Sequence, residues 1–123
     1  MSTQTTNTVR IHELLDYIRN GRVMDAMREF YDDDVVMEEP AYGQTVGLKA
    51  NLIREQQFVD SVKEFKKFES SKVGVGDNIS LYENVMDWVD VNGDEIHVEQ
   101  VVVALWKNGK IVHERFYYDM SGS

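Results

Sequence analysis

Two Asn-Gly dipeptides in the last third of the chain constrain its fold more than any other feature. ISLYENVMDWVDV meets DEIHVEQVVV at Asn92-Gly93, and EQVVVALWK meets KIVHERFYYD at Asn108-Gly109. Runs of β-branched and aromatic residues that meet at Asn-Gly read as hairpins, because a two-residue type I′ turn needs positive φ at both central positions. Long strands joined in this way form a meander. The helical patterns all come earlier, so the order implies an α+β domain. In it, three helices pack on one face of a strongly curved mixed or antiparallel sheet, with an internal pocket between the layers.

Asn7 or Thr8 can cap a first helix, in which Ile11, Leu14, Leu15 and Ile18 recur at helical spacing and Gly21 supplies the stop. A short second helix carries Val23, Met27, Phe30 and Tyr31, and Asp32-Asp33-Asp34 then reads as a solvated turn. Val35 to Glu39 alternates as a strand, with Val35, Met37 and Glu39 on one face and Val36 and Glu38 on the other. Pro40, the only proline, ends it.

After the loop AYGQTVG, a third helix is expected from about Leu48 to Phe65. Glu55 and Gln56 lie inside its apolar stripe of Leu48, Leu52, Val59 and Val62. Polar groups in such a stripe need partners or a wet cavity. From Lys66 the period switches to two, with a bulge or bend expected at Gly74 and Gly76. The order is α-α-β-α-β-β-β-β. Residues 9–119 form one domain, with the polar residues 1–8 as a flexible tail and 120–123 as a second tail. A chain of 123 residues is long enough to bury roughly two-thirds of its unfolded surface.

Charge and composition narrow the function. Twenty-two acidic against 13 basic residues give a formal charge of −9. Nucleic acid needs clustered Lys and Arg, and the one basic cluster, Lys63 to Lys72, is interrupted by Glu64 and Glu69. Nucleic-acid binding is not expected. No apolar run approaches the ~18 residues of a membrane span, and no signal-peptide core opens the chain. There is no cysteine, and a cytoplasmic location is the default expectation.

Strand facing decides the candidate residues. A two-residue turn at Asn92-Gly93 sets Val91 opposite Asp94. Val89 with Ile96, Asp87 with Val98 and Val85 with Gln100 then share one face. Trp88 with His97, Met86 with Glu99, and Tyr82 with Val103 share the other. Both faces carry large apolar groups, so the outer one is expected to meet a second subunit. At Asn108-Gly109, a two-residue turn puts Arg115, Tyr117 and Asp119 beside Val102 and Ala104. A three-residue turn with Gly109 as a bulge puts Glu114, Phe116 and Tyr118 there instead. Gly109 followed by Lys110 favours the second.

LLDYIRNGRVMDAMREFYDDDVVMEEP and GKIVHERFYYD, together with this order of elements, resemble the nuclear transport factor two-like superfamily. The resemblance is closest to its SnoaL-like polyketide cyclase and ketosteroid isomerase branch, over residues 9–119. It implies a cone of bent sheet closed by three helices, and homodimerisation through the outer sheet face. Ketosteroid isomerases end the first strand in Glu-Asp-Pro, whose Asp is the general base. Glu38-Glu39-Pro40 matches, so the resemblance makes Glu39 the candidate base. The isomerase oxyanion donors fall at Leu14 and Val102, which cannot donate, and the catalytic Asp of related cyclases falls at Phe116.

A carboxylate among apolar neighbours gains basicity useful near neutral pH. Glu39 is thus either a proton shuttle or a strand-end glutamate meeting solvent. Glu114, if inward, is a second catalytic candidate, and otherwise a surface ion pair with Lys110 or an arginine. Tyr17, Tyr42, Phe58, Phe116 and Tyr118 are candidates to line an apolar ligand site, with Asp87 and Gln100 orienting a polar group. His12, His97 and His113 have no metal-ligand spacing, and no Gly-rich phosphate loop is present, so neither metal nor cofactor is expected. Two functions fit this equipment. One is a cofactor-independent isomerase, cyclase or lyase acting on an apolar ligand. The other is a non-catalytic ligand-binding or dimeric interaction module.

Overall fold

A computed structural model describes residues 3–119. Over these residues the chain runs α1 (Thr3–Arg19), α2 (Val23–Phe30), β1 (Tyr31–Glu39), β2 (Gly43–Val46), α3 (Leu48–Ser61), β3 (Val62–Val75), β4 (Ile79–Asp90), β5 (Glu95–Lys107) and β6 (Lys110–Tyr117). The class is α+β, with three helices and one six-stranded mixed sheet in the order β2-β1-β6-β5-β4-β3. β3 to β6 form the antiparallel meander, and β1 returns to lie parallel to β6. That crossing sets the end of the first strand beside the end of the last. None of the described helices is long and apolar enough to cross a membrane.

α1 begins at Thr3, inside the segment read as a tail, and Asn7 is buried with its Nδ2 donating to Asp77 O at 2.7 Å. Ile11, Leu14 and Leu15 form the buried stripe, as the spacing predicts. Gly21, at φ +74°, ends the helix with Gly21 N donating to Ile18 O and Arg22 N to Tyr17 O. These two bonds satisfy carbonyls the last turn leaves open. α2 buries Ala26, Met27 and Phe30.

Three boundaries differ from the sequence reading. Tyr31 to Asp34 belong to β1 rather than to a helix and a turn, although the register with β6 is irregular between Tyr31 and Val36. The AYGQTVG loop contains the edge strand β2, so the sheet has six strands and not five. α3 stops at Ser61, and Val62 to Phe65 already belong to β3. Buried Asn51 ties α3 to β2, its Nδ2 donating to Thr45 O at 3.0 Å and Gly47 O at 2.8 Å. The interruption expected near Gly74 is present as a register shift between Ser71 and Gly74.

The two hairpins account for the facing. At Asn108-Gly109 the turn has two residues, with φ of 53° and 77°, and Lys107 opposite Lys110. The bulge lies further on, where the register shifts between Trp106–Ile111 and Leu105–His113. This shift turns Glu114 to face Ala104 and Phe116 to face Val102, the arrangement favoured from sequence though reached by another bulge. At the other hairpin, Val89 pairs with Glu95. Asp90 N donates to Asp94 O at 2.9 Å, and the Asp90 carboxylate accepts from Asn92 N and Asp94 N at 2.9 and 3.0 Å. The loop is therefore Val91-Asn92-Gly93, one residue longer than expected. A one-residue change reverses the facing of a whole strand relative to its partner. Asn84 thus opposes Gln100, Trp88 opposes Ile96, and Asp87 opposes His97.

The core lies between the helices and the inner face of the sheet. Ile11, Leu14, Phe30, Val35, Tyr82, Val102, Ala104, Trp106 and Ile111 pack there. Trp106 Nε1 donates to buried Ser80 Oγ at 2.8 Å, which satisfies both groups away from water.

Candidate functional site

β1 and β6 place two glutamates on the inner face. Met37 pairs with Glu114 and Glu38 with Arg115, so alternation points Glu39 inward and Glu38 outward. Glu38 accepts from His113 Nε2 at 2.8 Å and Arg115 Nε at 2.9 Å on the outer face. Gln44, His113 and Arg115 together hold its carboxyl below the usual range. Glu39 shares its face with Val35 and Met37, as read from sequence, and is half-buried. Its Oε1 accepts a hydrogen bond from the Tyr118 hydroxyl at 3.0 Å.

Glu114 is sealed in the core at 1% exposure. The Tyr31 hydroxyl donates to its Oε1 at 2.5 Å, while Oε2 has no hydrogen-bond partner among the described residues. The pairing with Lys110 or an arginine does not form; Lys110 Nζ instead donates to Glu29 O at 2.7 Å. Burial pushes the Glu114 carboxyl up to about 8; the Tyr31 bond pulls it down and the Glu55 charge pushes it further up. Loss of hydration penalises the charged carboxylate more than one hydrogen bond restores. At pH 7 Glu114 is therefore mainly a neutral acid.

Glu55 joins them from α3. Burial first, then the charge of Glu39, raises its carboxyl to about 7. The phenols around this group respond in the same sense. Tyr31 and Tyr82 are raised first by burial and then by the Glu114 charge. Tyr118 is raised to about 12 by burial and by Glu39. Three carboxyl groups and three phenols thus share one inner region. The charge interactions run from Glu39 through Glu55 to Glu114.

The structure distributes the other candidates unevenly. Phe116 faces inward on β6, Tyr118 follows just past the end of that strand with its hydroxyl on Glu39, and Gln100 faces inward on β5 beside Asn84. Phe58 on α3 meets Trp88 edge-on at 5.2 Å, which places it over the same face. Tyr17 packs edge-on against Phe30 at 5.3 Å and under the Arg22 guanidinium, a place in the helical core. Tyr42 is 64% exposed, and the Arg54 guanidinium lies 3.8 Å from its ring centroid. It stands at the rim rather than in a lining.

Asp87 is a correction. It lies on the outer face, bonded to His97 Nδ1, because the longer loop shifts the β4–β5 register. Asp87 and Glu99 raise the His97 pKa. A cleft of about 440 Å³ opens there, lined by Lys66, Lys67, Asp87, Trp88, Glu95, Ile96 and His97. A second cleft of about 400 Å³ is framed by Glu38, Val103, Leu105, His113, Arg115 and Tyr117.

Tyr31, Glu55 and Asn84 complete the inner polar set without having been singled out as site residues. Glu55 had a signal, as a glutamate in an apolar helical stripe. Asn84 had a weaker one, alternating with Tyr82 and Met86. Tyr31 had none, because its helical spacing fitted α2.

Comparison with known proteins agrees with this architecture. The SnoaL-like domain profile matches residues 1–118. The chain belongs to the SnoaL-like family. A candidate SnoaL-like polyketide cyclase from Jannaschia sp. CCS1 superposes with a TM-score of 0.83 at 13% identity, covering 99% of this chain and 91% of the other. An NTF2-like protein of unknown function from Burkholderia pseudomallei K96243 also gives 0.83, at 16% identity and 99% and 95% coverage. TerC co-crystallised with polyporic acid gives 0.79, at 12% identity and 95% and 94% coverage. No curated protein matches. At these identities the structural likeness carries the fold. Leu14 and Val102 are sealed apolar core residues.

Proposed function

We propose that this SnoaL-like chain binds an apolar small molecule between α3 and the inner sheet face and moves a proton at carbon beside a carbonyl. Glu39 serves as the base, steadied by Tyr118. Glu114 serves as the neutral acid that hydrogen-bonds the carbonyl oxygen through its second oxygen. The observation that carries this reading is Glu114 itself: fully buried, held on one oxygen by Tyr31 and unpartnered on the other. A carboxylic acid kept neutral by its surroundings is a hydrogen-bond donor, the role an enolate-forming site requires. It can donate a hydrogen bond, which Leu14 and Val102 cannot.

Partial exposure of the inward residues Met37, Glu39, Gln100, Phe116 and Tyr118 supports access from solvent. Phe58, Phe116 and Tyr118 offer aromatic faces to an apolar body. The co-crystallisation of TerC with polyporic acid supports small-molecule binding as a use of this architecture. No cofactor enters the scheme.

The test is deuterium exchange at the α-carbon of 2-tetralone in D₂O, followed by proton NMR. Exchange above the buffer rate, lost in Glu39→Gln and reduced about 10²–10³-fold in Glu114→Ala, is expected for a base and an oxyanion donor. Exchange at the buffer rate in the wild type, with 2-tetralone bound, would favour the non-catalytic ligand-binding module.

A further inference from the structure

The inner region is short of positive charge. The groups acting on the Glu55 and Glu114 carboxyls are burial, Glu39, Glu55 and the Tyr31 hydroxyl, with no basic side chain among them. Basic residues on the framing elements are engaged elsewhere. Arg54 bonds Thr45 Oγ1 and covers the Tyr42 ring. Arg19 pairs with Asp16 at 2.7 Å and reaches Ser70 Oγ. Arg115 pairs with Glu38 outside the sheet.

A second observation is independent of the glutamates. Asn84 is 3% exposed, faces inward on β4 opposite Gln100, and its Oδ1 has no hydrogen-bond partner. It lies one inward position along β4 from Tyr82, whose phenol senses the Glu114 charge. Of the two buried side-chain atoms left unpartnered among the described residues, Glu114 Oε2 belongs to a neutral acid and can donate, whereas Asn84 Oδ1 can only accept. A buried acceptor without a donor is costly, and native proteins complete it with water, an ion or a ligand.

We infer that the ligand of this site carries a cationic amine on its apolar body, held by Glu55 and Asn84 Oδ1, and that anionic ligands are rejected. The inference rests on the interior being the ligand site. An ammonium brings several N–H donors and the charge that the glutamates lack. It relieves the repulsion between Glu39 and Glu55, and its arrival favours the ionised form of Glu55, so binding releases a proton. A ligand carboxylate meets like charges in a poorly hydrated region and must itself be protonated to enter. Glu114 remains neutral and free to address a carbonyl, so an amino ketone uses the whole set.

Three probes with one bicyclic body separate these outcomes: 2-aminotetralin, 2-tetralone and tetralin-2-carboxylate, titrated at pH 7 against the ¹⁵N-labelled chain. The expected result is shifts at Glu55, Asn84 and Phe116, with the amine binding at least tenfold tighter than the carboxylate. Calorimetry of the amine in buffers of different ionisation heat should show proton release. Glu55→Gln should cut the preference for the amine over 2-tetralone several-fold. If Glu55→Gln does not fold, the wild-type ranking decides alone. Binding of the carboxylate as tightly as the amine would overturn the charge inference and leave the site standing. If no probe shifts the inner residues, both the site and the inference fail.

Discussion

The Tyr31 hydroxyl donates a 2.5 Å hydrogen bond to Glu114 Oε1, joining the first residue of β1 to the middle of β6 inside the core. The bond satisfies one carboxyl oxygen of a side chain that is 1% exposed. Replacing Tyr31 by Phe leaves both oxygens of Glu114 without a partner. Tyr31→Phe is expected to cost about 1–3 kcal/mol of stability. Because the bond lowers the Glu114 pKa, its loss should raise the midpoint above about 8. Urea denaturation and carboxyl-carbon NMR check the two effects separately.

Glu114 also makes stability depend on pH in a defined direction. Its folded-state midpoint of about 8 lies above the ordinary 4.5, so between those values the folded chain holds a proton that the unfolded chain has released. Stability is full below about pH 4.5 as far as this group is concerned, and it falls as pH rises toward 8. The slope is up to about 1.4 kcal/mol per pH unit for one group. Glu55 adds the same sign up to its midpoint of about 7. Urea midpoints measured from pH 5 to 8.5 should decline, and Glu114→Gln should flatten most of the decline.

The Asp90 carboxylate organises the β4–β5 loop through the Asn92 and Asp94 backbone N–H groups. Asp90→Ala removes both bonds and is expected to destabilise the chain by about 0.5–2 kcal/mol. Cross-strand NMR contacts between Asp87 and His97 should persist in that variant, since the register is also held along the rest of both strands.

Leu81, Leu105 and Tyr117 are 42%, 44% and 47% exposed on the outer face, and Val103 lies between Leu81 and Arg115 in the pairing. An apolar patch of this kind is expected to be covered by a second copy of the chain. Light scattering should report twice the chain mass, and Leu105→Glu should halve it. A wild-type monomer at high concentration would remove the homodimer.

The sequence made the inner face of β1 readable because Val35, Met37 and Glu39 alternate up to Pro40, and tertiary packing did not alter that. Glu114 was readable only as one of two alternatives. Its facing depends on a bulge whose position, after Ile111 rather than at Gly109, no local residue marks. Asp87 was misplaced for a related reason. Asn92-Gly93 fits a two-residue turn, but the Asp90 side chain stabilises a loop one residue longer, and every β5 pairing moves with it. Tyr31 was hidden because α2 passes into β1 without a breaking residue. Its spacing from Met27 fitted a helix while its hydroxyl was reaching for a strand 83 residues away.

Whether a buried acid–base site exists is decided by a carboxyl-carbon NMR titration of Glu114 and Glu55 in the unliganded chain. The expected midpoints are about 8 for Glu114 and about 7 for Glu55. Midpoints of both near the ordinary 4.5 would mean two hydrated carboxylates, and the buried acid–base site would not exist.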